Sequence, residues 1–437
     1  MREINETKLF YPFYPIKRKN DFIFTGRDLI LERVLESISV PESTLIIFGE
    51  RQVGKTSFMN QIINVIMNKS SFSENYSHIT SNFTNQPTCI SVDNTAFCKN
   101  LQGLLASIII SPSKYGLKRL FQDAYENDST VQSIIKETTE ITSNISLLKY
   151  RNLHKKNVSI LDTKIDAPNT IHDYFHRLIS HLSEKYNTEL IFFIDEFDLL
   201  EDKNGVGKFI KSLQDTRFVF VGIGENASDL VKDHQSIRAK LYGNSFRIPV
   251  FNQNEFINIF ERVEEQIRIN QKLSLRFSKS YLQKAYNDSS GLPGYGHLIG
   301  LHTLSIVKKR HKKNPQKNLE VNEKDYQKAI ERIFQIDLYN FEYALDQVNY
   351  SNVKDILEDQ PNKREILLKL ATLNSFGIDQ SDLFSNINKS YRRGFQENLE
   401  ILSRGKIPIL KIQGETIKFN DPLLRVAINV VRHLYEN

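Results

Sequence analysis

The chain has 437 residues, 40% hydrophobic and 25% charged, which suits a globular protein of about two to four domains. Lys and Arg outnumber Asp and Glu by 58 to 52, a formal charge of +6, which permits a nucleic-acid partner without demanding one. Cys89 and Cys98 cannot build a disulfide framework and fit a reducing, cytoplasmic setting; the start MREINETKLFYPFYP lacks the pattern of a secretory signal. The longest apolar runs fall well below the ~18 residues that cross a bilayer, so no membrane partner is expected.

An aromatic and basic arm, Leu9–Asn20, leads into Asp28–Val40, whose Leu29, Leu31, Val34, Leu35 and Ile38 are spaced for a helix. Thr44–Phe48, bounded by Pro41 and Gly49, reads as a buried strand, and Lys55–Met67 as the helix after it. Four more apolar runs, Thr88–Val92, Leu190–Ile194, Arg217–Val221 and Phe246–Val250, alternate with helical segments. Five such strands predict a parallel α/β sheet. Residues 97–165 look in part like an insertion. Within them Asn144–Tyr150 and Asn157–Ile165 flank a basic turn (Arg151, His154, Lys155, Lys156) and read as a β-hairpin.

After Phe251 the strands are expected to stop. Gln253–Ile267, Ser278–Asn287, Tyr295–Arg310 and Glu323–Phe334 read as helices, and Lys308–Lys317 as a solvated basic loop between two of them. The last hundred residues predict helices at Arg364–Leu373, Asp379–Ile387 and Tyr391–Arg404. Strands at Ile407–Ile412 and Thr416–Phe419 turn about Gly414, and a helix over Pro422–Leu434 follows. Three helices followed by a hairpin is a winged-helix pattern. The expected domains are a core over 1–251, a helical lid over 252–337 and a winged helix over 338–437.

Gly49-Glu50-Arg51-Gln52-Val53-Gly54-Lys55-Thr56, followed by Ser57, satisfies G-x-x-x-x-G-K-[ST], the P-loop signature. The glycines let the backbone curl so that its N–H groups face phosphate oxygens, and the helix that follows adds its positive dipole end. Lys55 is placed to reach the β- and γ-phosphates of ATP, and Thr56 to offer its hydroxyl to Mg²⁺. Leu190-Ile191-Phe192-Phe193-Ile194-Asp195-Glu196 is an apolar strand ending in two acids, a Walker B pattern. Asp195 is the second expected metal ligand and Glu196 the group that activates the attacking water. Asp198 and Glu225 are its alternates. The ten His and two Cys show no zinc spacing, and there is no G-x-S-x-G elbow and no nuclease or protease signature.

The order of these parts resembles the AAA+ and STAND branches of P-loop ATPases, including origin-recognition-type and archaeal-type members, over roughly Phe22 to Ala329 with a winged-helix tail. The resemblance implies a P-loop core with a parallel five-stranded sheet, a helical lid and a C-terminal winged helix. It implies further residues one at a time. Phe24-Thr25-Gly26-Arg27 resembles the stretch that wraps the adenine, giving Phe24 and Arg27 a nucleotide role. Val219 to Asn226 resembles the strand carrying the sensor 1 residue, Asn226 or else Glu225. Asp233 to Arg238 resembles the stretch bearing an arginine finger, Arg238 or else Arg247, which acts in a neighbour's site. Gly291-Leu292-Pro293 resembles the G-x-P motif whose proline, Pro293, packs on the adenine. No clear sensor 2 arginine follows it. Phe419-Asn420-Asp421-Pro422-Leu423-Leu424-Arg425 resembles the end of such winged helices. Tyr391-Arg392-Arg393 would open a recognition helix, with Lys389, Arg404 and Lys406 nearby.

The function so implied is an oligomerising nucleotide switch in prokaryotic signalling or defence, its effector on another chain. The alternatives are an ATPase that grips duplex DNA and a nucleotide-bound scaffold with little turnover.

Overall fold

The structure is a computed structural model. It describes residues 9–10, 16, 21, 23–83, 85–92, 98–110, 116–150, 170–212, 216–224, 241, 243–315, 318–334, 351–373, 376–404 and 408–432. The chain divides into two compact units, Pro15–Pro249 and a second made of Met1–Tyr14 with Val250–Asn437.

The unit Pro15–Pro249 is built on strands β1 (Thr44–Gly49), β2 (Pro87–Val92), β3 (Glu189–Ile194), β4 (Thr216–Ile223) and β5 (Ser245–Arg247). They form one parallel sheet in the order β2-β3-β4-β1-β5. β1 and all of β3 after its first residue are buried throughout, as strands covered on both faces must be, which is why they read as unbroken apolar runs. The helices are α1 (Asp28–Ser39), α2 (Lys55–Ile66), α3 (Ser77–Thr80), α4 (Leu101–Ile110), α5 (Leu117–Leu120), α6 (Gln122–Asn127), α7 (Ser129–Tyr150), α8 (Thr170–Tyr186) and α9 (Val206–Ser212). With a P-loop between β1 and α2, this is the α/β P-loop NTPase fold. Leu29, expected on the buried stripe of α1, is exposed, while Leu31, Val34, Leu35 and Ile38 are buried.

Residues 98–110 and 116–142 of the stretch expected as an insertion share the sheet's own core. Leu104, Leu105, Ile108, Val131 and Ile134 pack in one cluster with Ile90, Phe192 and Phe218. Asn144–Tyr150, expected as a strand, is the last part of α7; Asn157–Ile165 lies outside the described residues. The reason is visible earlier in the same helix. Val131, Ile134, Thr138 and Thr142 recur at helical spacing and are all buried. Thr138 Oγ1 donates back to Ile134 O and Thr142 Oγ1 to Thr138 O, so β-branched residues that favour strands find their partners on the helix itself.

In the second unit, helices α10 (Gln253–Gln271), α11 (Lys279–Ser289), α12 (Pro293–Lys313) and α13 (Glu323–Phe334) follow one another. A capping box opens α10, where Asn252 accepts from Glu255 N and Glu255 accepts from Asn252 N. The strands do not stop at Phe251. Ser274–Phe277 (β6) and Asn318–Val321 (β7) pair in parallel, each alternating exposed and buried residues. Nor is Lys308–Lys317 a loop throughout: Lys308 to Lys313 continue α12, with Arg310, His311, Lys312 and Lys313 in its last turn, where cations suit the helix dipole.

The tail holds helices α14 (Ser351–Asp359), α15 (Pro361–Thr372), α16 (Gln380–Asn386), α17 (Phe395–Ser403) and α18 (Pro422–Val431). Strands β8 (Ile378–Asp379), β9 (Leu410–Gln413) and β10 (Thr416–Phe419) form an antiparallel sheet in the order β8-β10-β9. The sequence helix–strand–helix–helix–strand–strand is a winged-helix arrangement around its own apolar core. The third helix starts later than expected. Gly394, at φ +68, interrupts the chain in the left-handed region, and Tyr391 belongs to a separate turn of 3-10 helix. Arg392 therefore precedes α17 and is held by its own fold. It donates to Ile387 O (3.0 Å) and Ser385 O (2.9 Å) and lies over the Phe384 ring.

Two polar contacts join the lid-like helices to the winged helix, each with supporting bonds on its own side. The Asp288 carboxylate on α11 accepts from Arg425 on α18 and from the Tyr326 hydroxyl on α13. Arg425 Nη1 also donates to Ala371 O (3.3 Å). The Tyr295 hydroxyl on α12 donates to Asp421 Oδ1 (2.9 Å), and the same carboxylate oxygen caps α18 through Leu423 N. Burial and Asp288 hold the Tyr326 phenol well above its ordinary range.

Candidate nucleotide site

β1 delivers Gly49 to the mouth of the P-loop. A Cβ there would stand 2.6 Å from Ile248 O, so only glycine allows that approach. The loop turns through Gln52 (φ +67) and Gly54 (φ +92), and α2 begins at Lys55. This is the curled backbone and helix N-terminus that cradle phosphates in P-loops.

Lys55 is buried, with Nζ donating to Gly49 O (3.2 Å) and Glu50 O (2.8 Å). Burial pulls its pKa down, and the charges of Asp198 and Asp195 oppose that. Thr56 Oγ1 donates to Asp195 Oδ2 at 2.7 Å across 139 residues of sequence. Asp195 Oδ1 accepts from Glu196 N (2.9 Å). Glu196 has φ +54 and an exposed side chain, and the turn it opens carries Asp198.

The structure thus brings Lys55, Thr56, Asp195 and Glu196 to the carboxyl end of the sheet's strands. Ser57 faces elsewhere: its Oγ accepts from Ile16 N (3.0 Å), while Asn60 Nδ2 donates to Ile16 O (3.2 Å), so the N-terminal arm is strapped to α2 at residue 16. Glu50, Arg51 and Val53 complete the loop between the two glycines, and Val53 is buried. Phe24 is buried and stacks on Phe58 (6.3 Å between centroids). Arg27 is buried and donates to Pro249 O (2.5 Å), closing the unit on itself. Asn226, Glu225 and Arg238 lie outside the described residues; Arg247 is exposed on β5. Pro293 belongs to the other unit, as first residue of α12. Just before it, Gly291 (φ +71) has room for no Cβ, which would fall 2.4 Å from Phe251 O, and it accepts from Phe251 N (3.0 Å).

Among the described residues no group of three or more His, Cys, Asp or Glu is placed to hold a metal, and no helix is long and apolar enough to cross a membrane. Thr56 and Asp195 nevertheless fit Mg²⁺: a hydroxyl and a carboxylate, both hard oxygen donors, already meet beside the phosphate loop.

No protein-family model matches the chain. No curated protein matches it. Solved structures do. The Walker-type ATPase PABY2304 of Pyrococcus abyssi is similar at 13% identity and TM-score 0.44, over 95% of this chain and 98% of that one. ORC2 of Aeropyrum pernix, in ADPNP–ADP complexes, is similar at 11% identity and TM-score 0.47, over 100% and 99%. Cdc6p of Pyrobaculum aerophilum is similar at 13% identity and TM-score 0.40, over 98% and 99%. At these values the likeness adds no weight of its own, and the P-loop NTPase fold rests on the chain's strand order, register and phosphate loop.

Proposed function

We propose that the chain binds and hydrolyses ATP and works as a nucleotide-dependent, oligomerising switch. The observation that carries this reading is the meeting of Thr56 with Asp195 at 2.7 Å beside a P-loop whose lysine is buried and paired only with the loop's own carbonyls in the hydrogen bonds seen. Two distant motifs that converge on one point are what a metal–nucleotide site requires. In this reading the loop amides bind the phosphates. Lys55 leaves the Gly49 and Glu50 carbonyls to place its charge on the β- and γ-phosphates. Thr56 and Asp195 would hold Mg²⁺, which when bound neutralises charge on the phosphate oxygens. Glu196, exposed and two-handed in its acceptor oxygens, orients water toward the γ-phosphorus and takes its proton as the bond to the ADP oxygen breaks. Phe24, Arg27 and Pro293 take adenine-side roles, Asn226 the sensor role and Arg238 the role of a finger in a neighbour's site, each by resemblance to AAA+ and STAND ATPases.

The same resemblance supports a prokaryotic signalling or defence role with a separate effector. The polar contacts of Asp288 and Asp421 support lid and winged helix moving together as one body. The winged helix favours this over DNA handling, because α17 carries Glu397 and Glu400 and no Lys or Arg, and an acidic recognition helix repels phosphates.

Glu196→Gln separates binding from chemistry. The amide preserves shape, so ATP affinity is expected to stay within about threefold while turnover falls by ~10²–10⁴. Size-exclusion chromatography in Mg-ATP should then show an assembly that persists, where that of the wild type decays as ATP is consumed. Unchanged turnover removes Glu196 from the mechanism.

A further inference from the structure

β4 outruns β3. The parallel register between them ends at Ile194↔Phe220, while β4 continues to Ile223. On its other side β4 stays paired to β1 up to Gly49↔Ile223. Amides along a strand alternate in direction. Phe218 N donates to Ser43 O and Gly224 N points to Gly49 O, both on the β1 side. Ile223 N therefore points to the side that β3 has vacated. There it meets no strand but the Asp198 carboxylate, Oδ1 accepting at 2.8 Å.

The path that brings Asp198 there starts at Glu196. The left-handed backbone of Glu196 turns the chain out of β3 into a single 3-10 turn, Phe197–Leu199, closed by Leu199 N donating to Glu196 O (2.9 Å). Phe197 anchors the turn from below, buried against Phe220 of β4 (4.6 Å between centroids). Lys203 lies over the Phe197 ring and donates to Asp198 O (3.4 Å). The residue that orients water, in the function proposed above, and the residue that replaces the missing strand partner thus share one turn. Across β4 the next backbone is Gly49, the first residue of the phosphate loop.

We propose that Asp198 is a positioning residue for ATP hydrolysis: its carboxylate extends the sheet by one bond and so locks the turn carrying Glu196 to the end of β4 and to the mouth of the P-loop. This rests on the reading of the site as an ATPase. It differs from a role as water-activating base in that Asp198 acts through Oδ1 on a backbone amide of the chain and not on water. A misplacement on the order of 1 Å between a catalytic group and its target can cost about a hundredfold in rate, whereas Lys55 donates to the P-loop's own carbonyls and feels Asp198 only through its charge.

The test uses the full chain with three variants. Asp198→Ala and Asp198→Leu remove the acceptor, the second keeping the side chain's bulk should alanine fail to fold. Asp198→Asn keeps an oxygen for Ile223 N and discards only the charge. Three quantities are read: equilibrium affinity for a fluorescent ATP analogue, turnover at saturating ATP, and hydrogen exchange of the Ile223 amide. Loss of the bond should lower turnover by about tenfold or more, leave affinity within threefold and expose the Ile223 amide to exchange. Asp198→Asn should restore protection and most of the turnover. Wild-type turnover in the variants that lack the acceptor overturns the proposal, and so does an Asp198→Asn protein as slow as Asp198→Ala, since charge and not position would then matter. A wild-type protein that neither binds nor hydrolyses ATP overturns instead the function on which the proposal rests.

Discussion

In residues 15–249 Arg27 and the Arg217–Glu189 pair are buried within the fold, but Lys55 and Asp195, with Asp198 beside them, gather where β1, β3 and β4 end. Their partners are mostly backbone atoms and one hydroxyl. In residues 250–437 Asp288, Arg425, Tyr326, Tyr295 and Asp421 lie between helices and satisfy one another. The first arrangement can give up its contacts to an incoming phosphate, because carbonyls and a hydroxyl are readily rehydrated or replaced. The second cannot, because a buried ion left without its counter-ion has nowhere to go. One set of buried charge therefore serves a ligand and the other serves the fold.

Substitution should separate the two. The largest stability effect is expected at Arg425→Ala, which leaves the Asp288 carboxylate without its cation. Removing one partner of a buried pair costs about 3–5 kcal/mol, seen as a fall in the urea midpoint by circular dichroism, while ATP affinity stays unchanged. A loss under about 1 kcal/mol would place this pair with ordinary surface ion pairs.

Next is His297 on α12, which is buried edge-on to Phe10 and whose Nδ1 has no hydrogen-bond partner among the described residues. Burial pulls its pKa down to about 4, against about 6.5 unfolded. Between those values the unfolded chain takes up a proton that the folded chain refuses, so stability is intact above about pH 6.5 and falls as pH drops toward 4. The loss is about 1.4 kcal/mol per pH unit, about 3 kcal/mol in all. Asp421, whose carboxyl is raised by burial, acts in the opposite sense but is common to both proteins in a comparison with His297→Phe. That variant should lose the acid-sensitive part of the stability profile; an unchanged difference from pH 7 to pH 4.5 would show His297 charging freely in the fold.

The legibility of the two regions in sequence follows the same division. The phosphate site was readable because its parts are contiguous: Gly49 to Thr56 is one motif, and Asp195-Glu196 closes a strand of unbroken apolar residues. β1 and β3 were visible for the same reason, since burial on both faces leaves almost no polar residue in the run; the other three strands showed as shorter apolar stretches. Asp198 stood two residues from a recognised motif, yet its role depends on β4 outrunning β3, a matter of register that no spacing encodes. The Asp288–Arg425 pair spans 137 residues, and nothing local marks either partner. β6 and β7 have four residues each, too few for alternation to outweigh the helices around them. Residues 144–150 were misread because Ile145 and Tyr150 suit a strand, while the buried Val131, Ile134, Thr138 and Thr142 mark the helix that these residues continue. Arg392 was expected inside the third helix of the tail, and the left-handed Gly394 starts that helix after it instead.

The central claim is that Lys55 is kept for a ligand and not for the fold. Equilibrium titration of Lys55→Ala with a labelled ATP analogue, alongside urea denaturation of the same protein without nucleotide, tests it most directly. The account predicts that tight ATP binding is lost while the unfolding midpoint moves by the equivalent of less than about 1 kcal/mol, since a desolvated ammonium bonded to two carbonyls contributes little net stability. Wild-type affinity in Lys55→Ala, or a collapse of its stability, would contradict it.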